Sequence, residues 1–410
     1  MRIGFLFNHD QVHQVAHALP IALAMARQRS GPEIILCSTN ERITRELRTL
    51  GGEAIGDSLN LVELKLVAPL SRIADAIAGR AVPAAKLLMY RDNLEFFKSL
   101  DVLVVPEKTS LVLKDYYHLK DLKIIHARHG AGDRAIGFNK ASARFDHVLA
   151  AGPKIRDRLV REAGVSPDKV TVVGYPKFDL FGPSNPAARS SKRRPIVLYN
   201  PHVAPHLSSR YKSGRAILGW FASNPAYQLI FAPHIMLFER RLVITIQPPK
   251  IDWPGIVRQS SFNPDNVLVD THSRALTTME YLNRADIYLG DASSQIYEFL
   301  MEPRPCLFFN AHGVDWTQNA NFAHWHAGRV LNDVGQLGDA LSSAFEDHDL
   351  RYRAVQQRML RYTFDLKSTS SSDRAADVIL RVASARSLKP RSRSTIEKQP
   401  VAALAAAVHS

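Results

Sequence analysis

The chain has 410 residues, 46% of them hydrophobic, and its 53 Lys+Arg against 39 Asp+Glu give a formal net charge of +14. That length exceeds one ordinary core and points to two domains, while the apolar fraction is that of a globular protein without a run of the roughly 20 apolar residues that span a bilayer. The basic excess attracts phosphates, anionic lipid or nucleic acid, but no aromatic-interleaved basic motif accompanies it, so no nucleic-acid partner is expected.

The start, MRIGFLFNHDQVHQVAHALP, lacks a small-residue cleavage site and reads as a first strand and helix rather than a signal peptide. Strands are expected at 3–7, 33–37, 102–105, 123–126, 147–149 and 170–173, with helices at 14–27, 41–50 and 155–162. Short, continuous apolar strands separated by helices argue for a parallel sheet covered on both faces. Residues 183–195, rich in Pro, Ser, Ala and basic side chains, form the clearest linker. A second series follows, with strands at 196–199, 228–232, 266–269, 285–290 and 305–310. Its helices are expected at 214–222, 276–283, 295–301 and 334–345. The pattern predicts an α/β protein with domains at 1–185 and 186–350, closing helices at 351–386, and a disordered basic tail at 387–410. Two such halves predict a central cleft where the carboxyl ends of both sheets meet. Cys37 and Cys306 lie far apart in apolar strands, as reduced core residues do, which fits a cytoplasmic location.

Chemistry concentrates just past strand ends. In ARHGAGDRAIGF, His129 follows a strand and is flanked by Gly130, a placement suited to a general base near neutral pH; a turn whose histidine merely bonds backbone fits equally well. In FAPHIMLF, His234 likewise follows a strand, where it would donate to a phosphate oxygen; a purely structural role fits about equally well. Asp291-Ala292-Ser293-Ser294 ends another strand and opens a helix at Gln295. Small hydroxyl residues at a helix start suit an anion, and Glu298 one turn on suits a ribose or similar diol. The alternative is a Ser N-cap with an ordinary first-turn Glu. Lys177 in VVGYPKFDLF is a candidate ligand-facing side chain, and Asn200 in VLYNPHVAPH a candidate cleft residue with His202 and His206 nearby. His9, His13 and His17 are spaced by four, yet no acid or thiol set completes a metal site, so no metal and no cofactor are expected. Asp347-His348-Asp349 reads as a solvated turn between two helices.

Arg128-His129-Gly130, Gly174-Tyr175-Pro176-Lys177-Phe178-Asp179, Ile196 to Pro201, Ala232-Pro233-His234, Ala285 to Ser294 and Pro305 to Asn310, in this order, resemble the CDP-glycerol glycerophosphotransferase family, the teichoic-acid-type transferases of GT-B fold. The resemblance covers roughly residues 120 to 315. It implies a GT-B-like pair of Rossmann-like domains, the first holding the acceptor and the second the nucleotide. The implied activity moves a glycerol-phosphate, or a related polyol-phosphate or sugar, from a nucleotide-diphosphate donor such as CDP-glycerol to an acceptor hydroxyl during cell-envelope polymer synthesis. His129 takes the family's base position and His234 its phosphate-contacting position; Asp291, Ser293, Ser294, Gln295 and Glu298 fall at the donor nucleotide. The acceptor would be lipid- or polymer-linked, with the basic tail holding the enzyme against the anionic inner face of the membrane. The chain departs from the family at Ala131 (usually Thr), Ala292 (an aromatic), Ile235 (Pro) and Lys177 (Arg). The Asp291 to Glu298 pattern also resembles UDP-N-acetylglucosamine 2-epimerases, although Tyr297 stands where their acidic pair would begin. A non-catalytic nucleotide-binding regulator on the same fold is the third reading.

Overall fold

The computed structural model describes residues 1–8, 11–28, 31–66, 82–182, 193–238, 243–246 and 249–385. The expected linker lies largely outside them, as do His9 and the basic tail. The chain divides into two compact units. Unit 1 comprises 1–130, 138–180 and 364–410, and unit 2 comprises 131–137 and 181–363. Two crossings are invisible to a reading in chain order. Residues 131–137 leave unit 1 to join unit 2, and the carboxyl-terminal helix Ser371–Ser384 returns to unit 1.

Unit 1 is built on a seven-stranded sheet of β1 (Arg2–Phe7), β2 (Glu33–Ser38), β3 (Asn60–Glu63), β4 (Val102–Val105), β5 (Lys123–Ala127), β6 (His147–Ala150) and β7 (Val170–Val172). The spatial order is β3-β2-β1-β4-β5-β6-β7 and every pairing is parallel. Parallel connections place helices on both faces, so both sides of each central strand must be apolar. Ile3, Phe5, Val102, Val104 and Ile125 pack with helices Val15–Ala26, Glu41–Gly51 and Ser371–Ser384. Leu6, Leu103, Val105, Ile124 and Val148 pack with helices Val82–Asp92 and Pro153–Ala163 on the other face. Alternate residues of single strands thus feed two cores, as a period of two requires.

Unit 2 repeats the plan with β8 (Ile196–Asn200), β9 (Gln228–Phe231), a separate antiparallel hairpin β10 (Val243–Ile246) and β11 (Pro249–Asp252), then β12 (Val267–Val269), β13 (Ile287–Gly290), β14 (Cys306–Phe309) and β15 (Arg329–Leu331). The six-stranded sheet runs β12-β9-β8-β13-β14-β15 with parallel pairing throughout. In both sheets the order reverses beside the first strand, between β1 and β4 and between β8 and β13. Such switch points open a crevice at the carboxyl ends of the strands, where ligands bind in open α/β sheets.

Two sequence expectations change. Asp347-His348-Asp349 is not a turn: helix Ala344–Asp347 continues through a π-helical turn at His348–Tyr352 into Arg353–Thr363. The helix expected over 295–301 closes after Gln295–Phe299.

Candidate functional site

In unit 1, His129 stands two residues beyond β5, beside Gly130, whose φ of +75° only glycine adopts without strain. The Pro106 carbonyl, just past β4, accepts from His129 Nδ1 at 3.1 Å and from His126 Nε2 at 3.2 Å. With Nδ1 donating, His129 Nε2 carries the lone pair. Crowding by protein atoms, and secondarily Arg128, lowers the His129 pKa to about 4 against the pull of the Pro106 bond. The residue remains exposed, and water at that surface limits the shift. The ring is a neutral base at pH 7. His17 lies 6.3 Å away, ring to ring, and itself contacts Tyr175 at 5.1 Å.

The stretch Gly174 to Asp179 docks a helix. Gly174 has φ +90°, Tyr175 packs against Phe178 and Phe364 at 4.8 and 4.9 Å, and Asp179 Oδ2 accepts from Ser372 N at 2.7 Å in the first turn of Ser371–Ser384. Lys177 is buried at the start of the short helix Lys177–Leu180.

In unit 2, Asp291 follows β13 and is wholly buried. Its Oδ1 accepts from His202 N and Ala292 N at 2.8 and 2.7 Å, and its Oδ2 from Ser209 N and Oγ at 2.7 and 2.9 Å. Burial pushes its pKa up to about 6 against these four donors, so the carboxylate form prevails at pH 7. The carboxylate thus ties β13 to the segment after β8. Its backbone carbonyl accepts from His324 Nε2 at 2.9 Å and Trp325 Nε1 at 2.8 Å. Asn200 is a second tie: its Nδ2 donates to Ala232 O at 2.7 Å and its Oδ1 accepts from the Tyr288 hydroxyl at 3.2 Å.

Ser293 is buried, and its Oγ accepts from Gln295 N at 3.4 Å. Ser294 is exposed at the N-cap of Gln295–Phe299, without a side-chain cap bond. Gly132 approaches it so closely that a Cβ there would lie 3.0 Å from Ser294 Cβ. Gln295 is half-buried, reaching toward Leu276 O at 3.5 Å, and Glu298 is buried in the same short helix. A helix of five residues brings little dipole to this end, so the exposed Ser294 hydroxyl and local N–H groups are what it offers an anion.

His234 follows β9. Its Nδ1 accepts from Met236 N at 3.3 Å, and its ring lies 5.9 Å from that of His202. Burial first and then Arg134 lower its pKa to about 4, leaving the ring neutral. The loop 131–137 adds what sequence reading missed. Asp133 Oδ2 accepts from the Tyr297 hydroxyl at 2.6 Å, His324 Nδ1 at 3.0 Å and His324 N at 3.2 Å. Arg134 Nη1 stands 3.4 Å from His202 Nε2. The signal for His324 and Trp325 lay in the dense His-Trp-His run of 324–326; Asp133 and Arg134 gave none, because sequence order assigns them to the other unit. Among the described residues no group of three or more His, Cys, Asp or Glu side chains is placed to hold a metal ion.

No protein-family model and no curated protein matches this sequence. Solved structures do resemble it. The wall teichoic acid polymerase TagF superposes with a TM-score of 0.59 at 12% identity, over 93% of this chain and 89% of that one. A UDP-N-acetylglucosamine 2-epimerase superposes with a TM-score of 0.55 at 14% identity, over 96% and 99% of the two chains. The epimerase from Neisseria meningitidis bound to UDP-GlcNAc gives 0.53 at 14% identity, over 93% and 99%. These likenesses, with the two parallel sheets and their reversed strand orders, define a GT-B fold. No helix among the described residues is long and apolar enough to cross a membrane.

Proposed function

We propose that this chain is a transferase that moves a glycerol-phosphate, or related polyol-phosphate, from a nucleotide-diphosphate donor such as CDP-glycerol to an acceptor hydroxyl in the synthesis of a cell-envelope polymer. The observation that carries the reading is the His129 imidazole past β5. It is neutral, its Nδ1 is tied to Pro106, and its Nε2 is the free base. In the proposed reaction the acceptor oxygen bonds to the phosphorus bearing glycerol while its proton passes to His129 Nε2. The bond to the bridging diphosphate oxygen breaks, and the nucleoside monophosphate leaves with that electron pair. Unit 2 holds the nucleotide in this reading, with His234 and the Ser293–Ser294 hydroxyls around the phosphates and Glu298 and Gln295 toward the nucleoside. Asp291 and Asn200 keep that end of the sheet in shape. A cytoplasmic enzyme, held at an anionic membrane surface by residues 387–410, would meet a lipid-linked acceptor; removing those residues should lower binding to anionic vesicles at low salt.

The test is His129→Ala. Loss of a positioned base costs turnover about 10²–10⁴-fold, while nucleotide affinity stays near wild type. Undiminished turnover in that variant removes His129 from the chemistry. Incubation with labelled CDP-glycerol, UDP-sugars and GDP-sugars identifies the donor by the nucleotide released. The near-complete coverage of UDP-N-acetylglucosamine 2-epimerases supports a second reading, in which UDP-GlcNAc is epimerised without an acceptor. Conversion of UDP-GlcNAc in the absence of any acceptor would favour it.

A further inference from the structure

The Arg134–His202 contact in unit 2 is chemically incomplete. A neutral imidazole has one N–H and one lone pair. His202 Nδ1 accepts from Ala204 N at 3.0 Å, so the single N–H is on Nε2. Burial, followed by His234 and Arg134, pushes the His202 pKa well below 6.5, which excludes a second proton at neutral pH. Yet Nε2 faces Arg134 Nη1 at 3.4 Å, and a guanidinium only donates. Two donors therefore face one another. His202 is only 7% exposed, so its N–H has little recourse to water, and an unmade bond there is costly. Among the described residues, no carboxylate lies within ion-pair distance of Arg134. The nearest acid on the His202 side, Asp291, is consumed by Ser209, Ala292 and the His202 backbone.

We propose that Arg134 and His202 together bind one anionic oxygen of the donor's diphosphate, which accepts from Arg134 Nη1 and His202 Nε2 at once. The proposal rests on the nucleotide-diphosphate reading above and gives a role to two residues that stand in the quoted motifs but to which neither motif nor resemblance assigned one. The pair supplies one full positive charge and one neutral N–H, which suits a phosphate oxygen and repels a cation. The guanidinium also remains charged across the pH range in which a histidine pair would not.

Titration calorimetry with CDP, UDP, cytidine and inorganic pyrophosphate tests this on the full-length protein. Arg134→Gln removes the charge. His202→Asn retains an acceptor for Ala204 N but has no donor at the Nε2 position. Each variant should bind nucleoside diphosphate about tenfold to hundredfold more weakly, with cytidine binding unchanged. Because both donors serve one oxygen, the double variant should lose less than the product of the single losses. Arg134→Lys should recover part of the affinity. Circular dichroism and melting temperature confirm that each variant folds. If a folded Arg134→Gln or His202→Asn binds CDP and UDP as the wild type does, the pair is not the site, while the transferase reading survives. If the wild type binds pyrophosphate through this pair but no nucleoside diphosphate, the anion site stands and the proposed donor falls. If it binds neither, both fall.

Discussion

At the scale of single residues, Asp291 and Asp133 are both buried carboxylates in unit 2, and each accepts from donors of that same unit. The family resemblance places Asp291 among the nucleotide-binding residues. Its four internal donors account for both of its oxygens. Asp291→Asn would set an amide N–H₂ against Ser209 N and Oγ or against His202 N and Ala292 N, leaving buried donors unpaired. The expected loss is about 1–3 kcal/mol per group left unsatisfied, read as a lower urea midpoint with unchanged m-value. A variant as stable as wild type would mean the carboxylate is not a structural tie. Tyr297 makes a similar point: legible only as the residue that spoils an epimerase-like acidic pair, it donates to Asp133 and so anchors the loop that carries Arg134.

At the scale of elements, the central strands were readable, as were the edge strands β7 and β12, whereas the edge strands β3 and β15 were not. β4 and β6 are buried at every position and read as unbroken apolar runs. β3 (Asn-Leu-Val-Glu) and β15 (Arg-Val-Leu) carry polar residues at their ends, so neither has the unbroken apolar run of β12 (Val-Leu-Val). What admits β15 to the sheet is Gly328, immediately before it. A Cβ at Gly328 would lie 1.9 Å from the Cys306 carbonyl oxygen on β14. Its φ is −168°, so space alone demands glycine. Gly328→Ala should destabilise by about 1–3 kcal/mol or more, as forced overpacking does. Gly219, inside helix Gly214–Ser223, has no atom within 4 Å of the point where a Cβ would sit. Gly219→Ala should instead stabilise by roughly 0.5–1 kcal/mol, the helical cost of glycine. Matched denaturation curves separate these outcomes, and equal effects at the two sites would refute the packing account. The helix Ser371–Ser384 was readable as a helix from its amphipathic run, but its placement in unit 1 was not, since it depends on Asp179, 192 and 193 positions before the residues it accepts from.

For the whole molecule, the buried histidines make acid the vulnerable direction. His126 and His202 are both held well below 6.5, chiefly by burial. The unfolded chain takes up protons near pH 6.5, whereas the folded one refuses them until lower pH, so stability rises with pH across that window and is lost as pH falls from about 6.5. At full effect each such histidine changes stability by about 1.4 kcal/mol per pH unit. Asp291, raised to about 6, works in the opposite sense, since the folded state binds its proton more readily than the unfolded state between about 6 and 3.8. His234, lowered to about 4, adds to the histidine side. The melting temperature should therefore fall between about pH 7 and pH 5, and a flat or rising profile would contradict this balance. The α/β class, the central strands and the histidines past β5 and β9 were determined by sequence alone, because period-two burial and strand-end position are local properties that the chain order preserves. Which unit owns residues 131–137, which acids are consumed internally, and that Arg134 meets His202 were decided only by tertiary structure, because contacts between residues 68 to 191 positions apart leave no trace in local spacing.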